Sequence, residues 1–155
     1  MDIEAHPFDL RDCVESALDL VSTRAVEKDL ETAYLFEGDI PRAVLGDVTR
    51  LRQILLNLLA NAVKFTEAGE VEIRCQVNLL AGGQGELRFT VRDTGPGIPQ
   101  EMNGRLFEPF ASYGKPKGTG LGLSMAKKIV DAHCGRIHVK SDLGRGTVFR
   151  IELPS

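Results

Sequence analysis

The chain has 155 residues, with 19 lysines and arginines against 22 aspartates and glutamates, for a net charge of -3. That length makes one domain with a sizeable core, and the mild acidity gives no basis for nucleic acid or an anionic membrane surface as a partner. No run approaches the roughly 18–20 apolar residues that a bilayer span needs. The segment from Met1 to Leu10 lacks an apolar signal-peptide core, so a cytoplasmic setting is expected. Cys13, Cys75 and Cys134 have no metal-ligand spacing and are expected to be reduced, buried, small residues. The clean finish at Leu153-Pro154-Ser155, after a strand, suits a module cut from a larger protein.

His6 to Leu10 reads as a short extended piece, after which Asp9 can cap a helix. That helix carries Leu10, Cys13, Val14, Ala17, Leu18 and Val21 on one stripe. Thr32 to Glu37 reads as a strand, and Asp47 can cap a second helix through Phe65. The second helix is apolar nearly all round: Leu51, Leu55, Leu58 and Ala62 share one side, and Leu56, Leu59 and Val63 another. One polar stripe interrupts it. Asn57, Asn61 and Lys64 lie at i, i+4 and i+7 and project within roughly 60° of one another. Two amides and an ammonium on such a helix need partners, because an unpaired buried amide costs about 1–3 kcal/mol.

Val71, Ile73, Cys75, Val77 and Leu79 alternate with polar residues, the pattern of a half-buried strand. A loop over Ala81 to Gly85 turns into a second strand with Leu87, Phe89 and Val91 inward. Asp93 continues that inward phase, so a carboxylate faces the buried side of the sheet and requires a partner. Gly95 to Gly120 is irregular, apart from one possible helical turn near Gln100 to Leu106, and its length suits a functional lid. A helix from Leu121 to Cys134 follows, with Leu121, Met125, Ile129 and Ala132 inward. Arg136 to Asp142 and Gly146 to Leu153 form a last hairpin, with Thr147, Phe149, Ile151 and Leu153 on one face. Hairpin-paired strands with helices able to cover only one face predict an α+β fold, a two-layer sandwich on a mixed, mostly antiparallel sheet.

Asp93-Thr94-Gly95-Pro96-Gly97 and Gly118-Thr119-Gly120-Leu121-Gly122 follow the amide stripe in order. An amide for a metal, a carboxylate for a base edge and a glycine loop for phosphates point together to a nucleotide site. The glycine loop alone is a weak signal: no hydrophobic strand leads into it, and no P-loop lysine motif is present.

This ordered set resembles the ATP-binding catalytic domain of sensor histidine kinases, within the GHKL superfamily and its Bergerat fold. The resemblance covers nearly the whole chain, 1–155, with the lid at about 95–120. It rests on an N box at Asn57–Lys64, glycine boxes at Asp93–Gly97 and Gly118–Gly122, an F box at Leu106–Phe110 and a closing Gly144–Phe149 signature. It implies ATP and Mg²⁺ as cofactors, with the Asn61 oxygen as the metal ligand and Lys64 neutralising phosphate charge. Asp93 would accept from the adenine 6-amino group, with Gly95, Gly97 and Ile98 beside the base and Thr147 on its other side. Gly118, Thr119, Gly120, Leu121, Gly122 and Leu123 would close on the phosphates. Lys117, like Lys115, is either a phosphate contact or a solvated loop charge; Phe110, like Phe107, either packs the lid or belongs to the core.

Asn57 stands where ATP-hydrolysing members of the superfamily carry a glutamate. An amide cannot take a proton from water, which favours phosphoryl transfer. No histidine here sits in a phosphoacceptor setting: His6 precedes Pro7, His138 falls in a strand and His133 ends a helix beside Cys134. The resemblance therefore implies a monomeric catalytic domain that serves a separate dimerisation and histidine module. A response-regulator receiver domain would be an indirect partner, and the parent could be membrane-anchored. An anti-sigma-factor-type serine kinase and a nucleotide-sensing module without transfer activity are the rival readings; phosphate transfer to serine or histidine substrates separates them.

Overall fold

A computed structural model describes residues 3–79, 85–98, 107 and 122–154. In chain order these form β1 (His6–Phe8), α1 (Leu10–Glu27), β2 (Glu31–Glu37), β3 (Val44–Gly46), α2 (Val48–Phe65), β4 (Glu70–Leu79), β5 (Gly85–Asp93), α3 (Gly122–Ala132), β6 (Arg136–Asp142) and β7 (Gly146–Pro154). Five strands make the main sheet in the order β2-β4-β5-β7-β6. Only β2 and β4 run parallel; the other pairs are antiparallel. The β1–β3 pair forms a separate two-stranded sheet, a feature too short for periodicity to reveal.

The sequence phase of the strands is the phase of the core. Val71, Ile73 and Cys75 of β4, Leu87, Phe89 and Val91 of β5, and Phe149, Ile151 and Leu153 of β7 are all buried. The expected α1 stripe is buried too and extends to Ala25. On α2 the buried set is Leu51, Ile54, Leu55, Leu58, Leu59, Ala62 and Val63. Leu56 lies at the margin, only partly buried. The α3 phase differs from expectation. Leu123, Ala126, Ile129 and Val130 are buried, whereas Met125 is 38% exposed and Ala132 is exposed. A stripe drawn from Leu121 in steps of four rotates away from the true face, since four residues turn the helix through 400°; Leu121 itself lies outside the described residues.

Capping follows the sequence. Asp9 accepts the Asp12 N–H at 3.2 Å and Asp47 accepts the Arg50 N–H at 3.1 Å, so both helices start on a carboxylate. The second Asp47 oxygen accepts the Glu4 N–H at 3.1 Å, which ties the N-terminal segment to α2. Burial alone would raise the Asp47 pKa, but these backbone donors and the Arg50 charge outweigh it and hold the group below its ordinary range.

Cys13 and Cys75 are buried, and burial pushes their thiols up to about 11 and about 12. Cys134 departs from expectation: it is exposed, with φ 58°. It occupies the left-handed position that ends α3, just ahead of Gly135.

The C-terminal end of α2 is held by Lys28, whose Nζ donates to Val63 O at 2.7 Å and Lys64 O at 3.0 Å. A cation there satisfies two carbonyls that the helix leaves unpaired. Lys28→Met should cost about 1–3 kcal/mol, read as a lower urea midpoint at unchanged m-value.

Candidate functional site

The site forms where the end of α2 meets the end of β5. Asn57, Asn61 and Lys64 are half-buried on one side of α2. Gln53, one turn earlier, donates from Nε2 to Asn57 Oδ1 at 2.8 Å, leaving the Asn57 Nδ2 buried without a partner. The Lys64 ammonium sits 5.0 Å from the centre of the Phe65 ring. This stripe offers amide groups and one cation, a set able to meet phosphate oxygens and a hard metal ion.

Asp93 ends β5 and is only 8% exposed. Its Oδ1 accepts the Gly95 N–H at 2.9 Å. Burial pushes its pKa above the ordinary carboxylate value, against the Gly95 and Thr147 backbone donors, the nearby Thr66 hydroxyl and the Arg92 charge. Thr147 pairs directly across from it on β7 and is also buried. Thr66, the residue that ends α2, is fully buried beside this carboxylate.

The turn after Asp93 is pressed against its neighbours. A Cβ on Gly95 would lie 3.0 Å from Thr66 Oγ1, 3.1 Å from Asp93 Oδ1 and 3.2 Å from Phe65 O. Gly97 has φ +84°, and a Cβ there would meet Asp142 O at 2.5 Å. The β6–β7 turn grips the same segment: Gly144 N–H donates to Pro96 O at 2.8 Å, and Ile98 N–H donates to Ser141 Oγ at 2.6 Å. Ser141 Oγ lies 3.1 Å from Thr147 Oγ1 and donates to Gly146 O at 3.2 Å. Ser141 therefore links the glycine turn to Thr147. It stands in the inward phase of β6 behind Ile137 and Val139, the same signal that exposes Asp93.

The fold thus gathers Asp93, Gly95, Gly97, Ile98 and Thr147 around one point, with the Asn57–Asn61–Lys64 stripe on the helix that ends there. Gly122 begins α3 and Leu123 is buried in it. Phe107 is partly buried and meets Phe149 edge-on, with ring centroids 6.4 Å apart, so it packs against the core. Phe110, Lys117, Gly118, Thr119, Gly120 and Leu121 lie outside the described residues, as does most of the expected lid. The residues missed by sequence reasoning are Thr66, Ser141 and Gln53. Among the described residues no group of three His, Cys, Asp or Glu could hold a metal, and no helix is long and apolar enough to cross a membrane.

A buried carboxylate at a glycine turn and a helix bearing an amide stripe meet at the end of a mixed sheet covered by helices. The chain belongs to the histidine kinase-, DNA gyrase B- and HSP90-like ATPase family, whose signature matches residues 46–155. It is 42% identical to the sensor histidine kinase AruS of Pseudomonas aeruginosa over 97% of this chain, and spans 16% of that relative's length. Full-length ShkA in complex with AMPPNP superposes with a TM-score of 0.84 at 38% identity, covering 99% of this chain and 31% of that one. The nucleotide-free catalytic domain of histidine kinase ThkA superposes at 0.82 with 31% identity, covering 97% of this chain and 95% of that one. The fold and extent are those of a histidine kinase catalytic domain.

Two glycines of the β6–β7 turn provide a contrast. Gly144 has φ +80° and open space around its Cβ position, whereas Gly146 has φ +114° and a Cβ there would lie 2.1 Å from Asp93 O. Gly144→Ala should cost only the left-handed strain of about 1–2 kcal/mol. Gly146→Ala must also displace the backbone of Asp93, so thermal melts should place it well below Gly144→Ala.

Proposed function

We propose that this domain binds Mg·ATP and presents the γ-phosphate to a histidine on a separate dimerisation module of its parent kinase, with a response-regulator receiver domain as the eventual acceptor. The observation that carries the reading is Asp93. A buried carboxylate in the inward phase of its strand, raised in pKa, is a hydrogen-bond acceptor waiting for a donor. The adenine 6-amino group supplies one. Guanine offers a carbonyl at that position and would meet the carboxylate acceptor to acceptor.

The remaining roles follow the same surface. Gly95, Gly97 and Ile98 bring backbone close to the base, and Thr147 borders it from β7. The Asn61 oxygen is the protein ligand of Mg²⁺, and Lys64 faces phosphate charge. A hard cation takes oxygen donors and bridges phosphates, which suits an amide oxygen beside a triphosphate; when bound, it neutralises phosphate charge. Gly118, Thr119, Gly120, Leu121, Gly122 and Leu123 close on the phosphates by backbone N–H groups, with the start of α3 adding its positive end. Lys117 contributes charge and Phe110 packs the lid. Asn57 cannot accept a proton from water, so this site positions and neutralises and does not hydrolyse.

Two measurements test the proposal. Asn61→Ala should lose the Mg²⁺ dependence of ATP affinity in calorimetry while keeping the parent melting temperature; an unchanged Mg²⁺ response overturns the ligand assignment. The isolated domain should bind ATP, turn it over very slowly and take up no acid-labile phosphate, but should label the histidine module of its parent when that is supplied. Tethering the two should speed transfer, because effective concentration rises to about the millimolar range. Strong self-labelling, or brisk steady ATP turnover, overturns the assignment.

A further inference from the structure

The pair of amides in the middle of α2 is bonded in one direction. Gln53 is exposed, and its Nε2 donates to Asn57 Oδ1 at 2.8 Å across one helical turn. The oxygen and nitrogen of a carboxamide turn together, so holding the oxygen also fixes the nitrogen. The Asn57 Nδ2 is then left buried with no partner. Folded proteins seldom keep an amide in that state unless a ligand, ion or water completes it. An i, i+4 side-chain pair on a helix adds little to stability. What the contact does is decide which Asn57 atom remains available.

That decision matters on this stripe. Asn57 shares its side of α2 with Asn61 and Lys64, all three half-buried. A carboxamide meets an anionic phosphate through its N–H groups; its oxygen repels a phosphate and attracts a cation. With Oδ1 held by Gln53, Asn57 has only its N–H groups to offer. Asn61 lies about 12 Å further along the helix axis than Gln53, so Gln53 does not reach the Asn61 oxygen. We propose that Gln53 is a positioning residue: it holds the Asn57 amide so that Asn57 meets the phosphate chain as a donor, while the Asn61 oxygen is left to the metal. This rests on the reading of the stripe given above and adds to it a residue that touches neither nucleotide nor metal.

The test uses the whole chain with Mg²⁺. It follows ATP by calorimetry and adenosine, which carries no phosphate, by amide chemical shifts. Gln53→Met keeps the length of the side chain and removes its polar groups. Gln53→Glu can only accept, so it draws the Asn57 nitrogen to itself and turns the oxygen toward the phosphates. ATP should bind about threefold or more weakly to Gln53→Met and about tenfold or more weakly to Gln53→Glu. Adenosine affinity should match that of the parent in both. In an Asn57→Ala background, Gln53→Met should cause no further loss, because no amide remains to be oriented. A Gln53→Met chain that binds ATP as the parent does, or that loses as much again in the Asn57→Ala background, overturns the inference. So does Gln53→Glu binding ATP as well as Gln53→Met, and so does an equal loss of adenosine, which marks a merely structural role. A parent that binds ATP no more tightly than adenosine overturns the reading of the stripe itself, a result visible before any variant is made.

Discussion

The burial of one carboxylate organises this molecule. Asp93 could face solvent at no cost, but the strand phase of β5 turns it inward behind Leu87, Phe89 and Val91. A charge in that position is tolerable only because backbone N–H groups from Gly95 and Thr147 reach it. Those donors come from closely packed turns. A Cβ on Gly95 would crowd Thr66, Asp93 and Phe65 at 3.0–3.2 Å, and one on Gly146 would lie 2.1 Å from the Asp93 carbonyl oxygen. Gly95 and Gly146 thus lie directly against the buried acid, whereas Gly97 is pressed against Asp142.

The other half of the site comes from α2. Its apolar faces anchor it against α1, α3 and the sheet, so core packing fixes the direction of the Asn57–Asn61–Lys64 stripe. Lys28 and Asp47 secure the two ends of the same helix. The opposite face of the sheet carries charged residues, such as Glu152 with Arg88 and His138, beside neutral ones such as Leu35, Thr90 and Val148. Arg88 and Glu152 are partly buried there, at 34% and 14% side-chain exposure. This polar face leaves one buried layer, with the candidate site at its edge.

The sequence made the sheet easier to read than the helices. A period of two allows no intermediate phase, so Val71, Ile73 and Cys75 of β4 and the inward sets of β5 and β7, including Asp93 and Thr147, are as the alternation requires, with Val77 only partly buried. A helix tolerates a rotation of its stripe, and Met125 and Ala132 fell on the wrong side because Leu123, Ala126 and Val130 offered a competing face. The parallel pairing of β2 with β4 is a long-range choice that no local pattern encodes. Ser141 was legible by the rule that found Asp93. Thr66 was not: it ends a helix, where no periodicity assigns a face, and its meaning appears only once β5 is packed against it. The buried character expected of Cys134 failed because the chain needed a left-handed residue there, and position in a helix cap outweighed the usual preference of cysteine for the interior.

The central claim is that Asp93 is a strained acceptor which the adenine amino group completes. Carboxyl-carbon NMR of Asp93 across a pH titration tests it most directly, with the free chain, with ATP and with GTP. Without nucleotide the group should titrate above the ordinary aspartate value of about 3.9, because burial favours the neutral acid. Saturating ATP should lower that midpoint, since an N–H donor stabilises the carboxylate, and ATP affinity should rise with pH through the same range. GTP should leave the midpoint where it was. A free-chain midpoint at or below the ordinary value, or one that ATP does not move, would contradict the account.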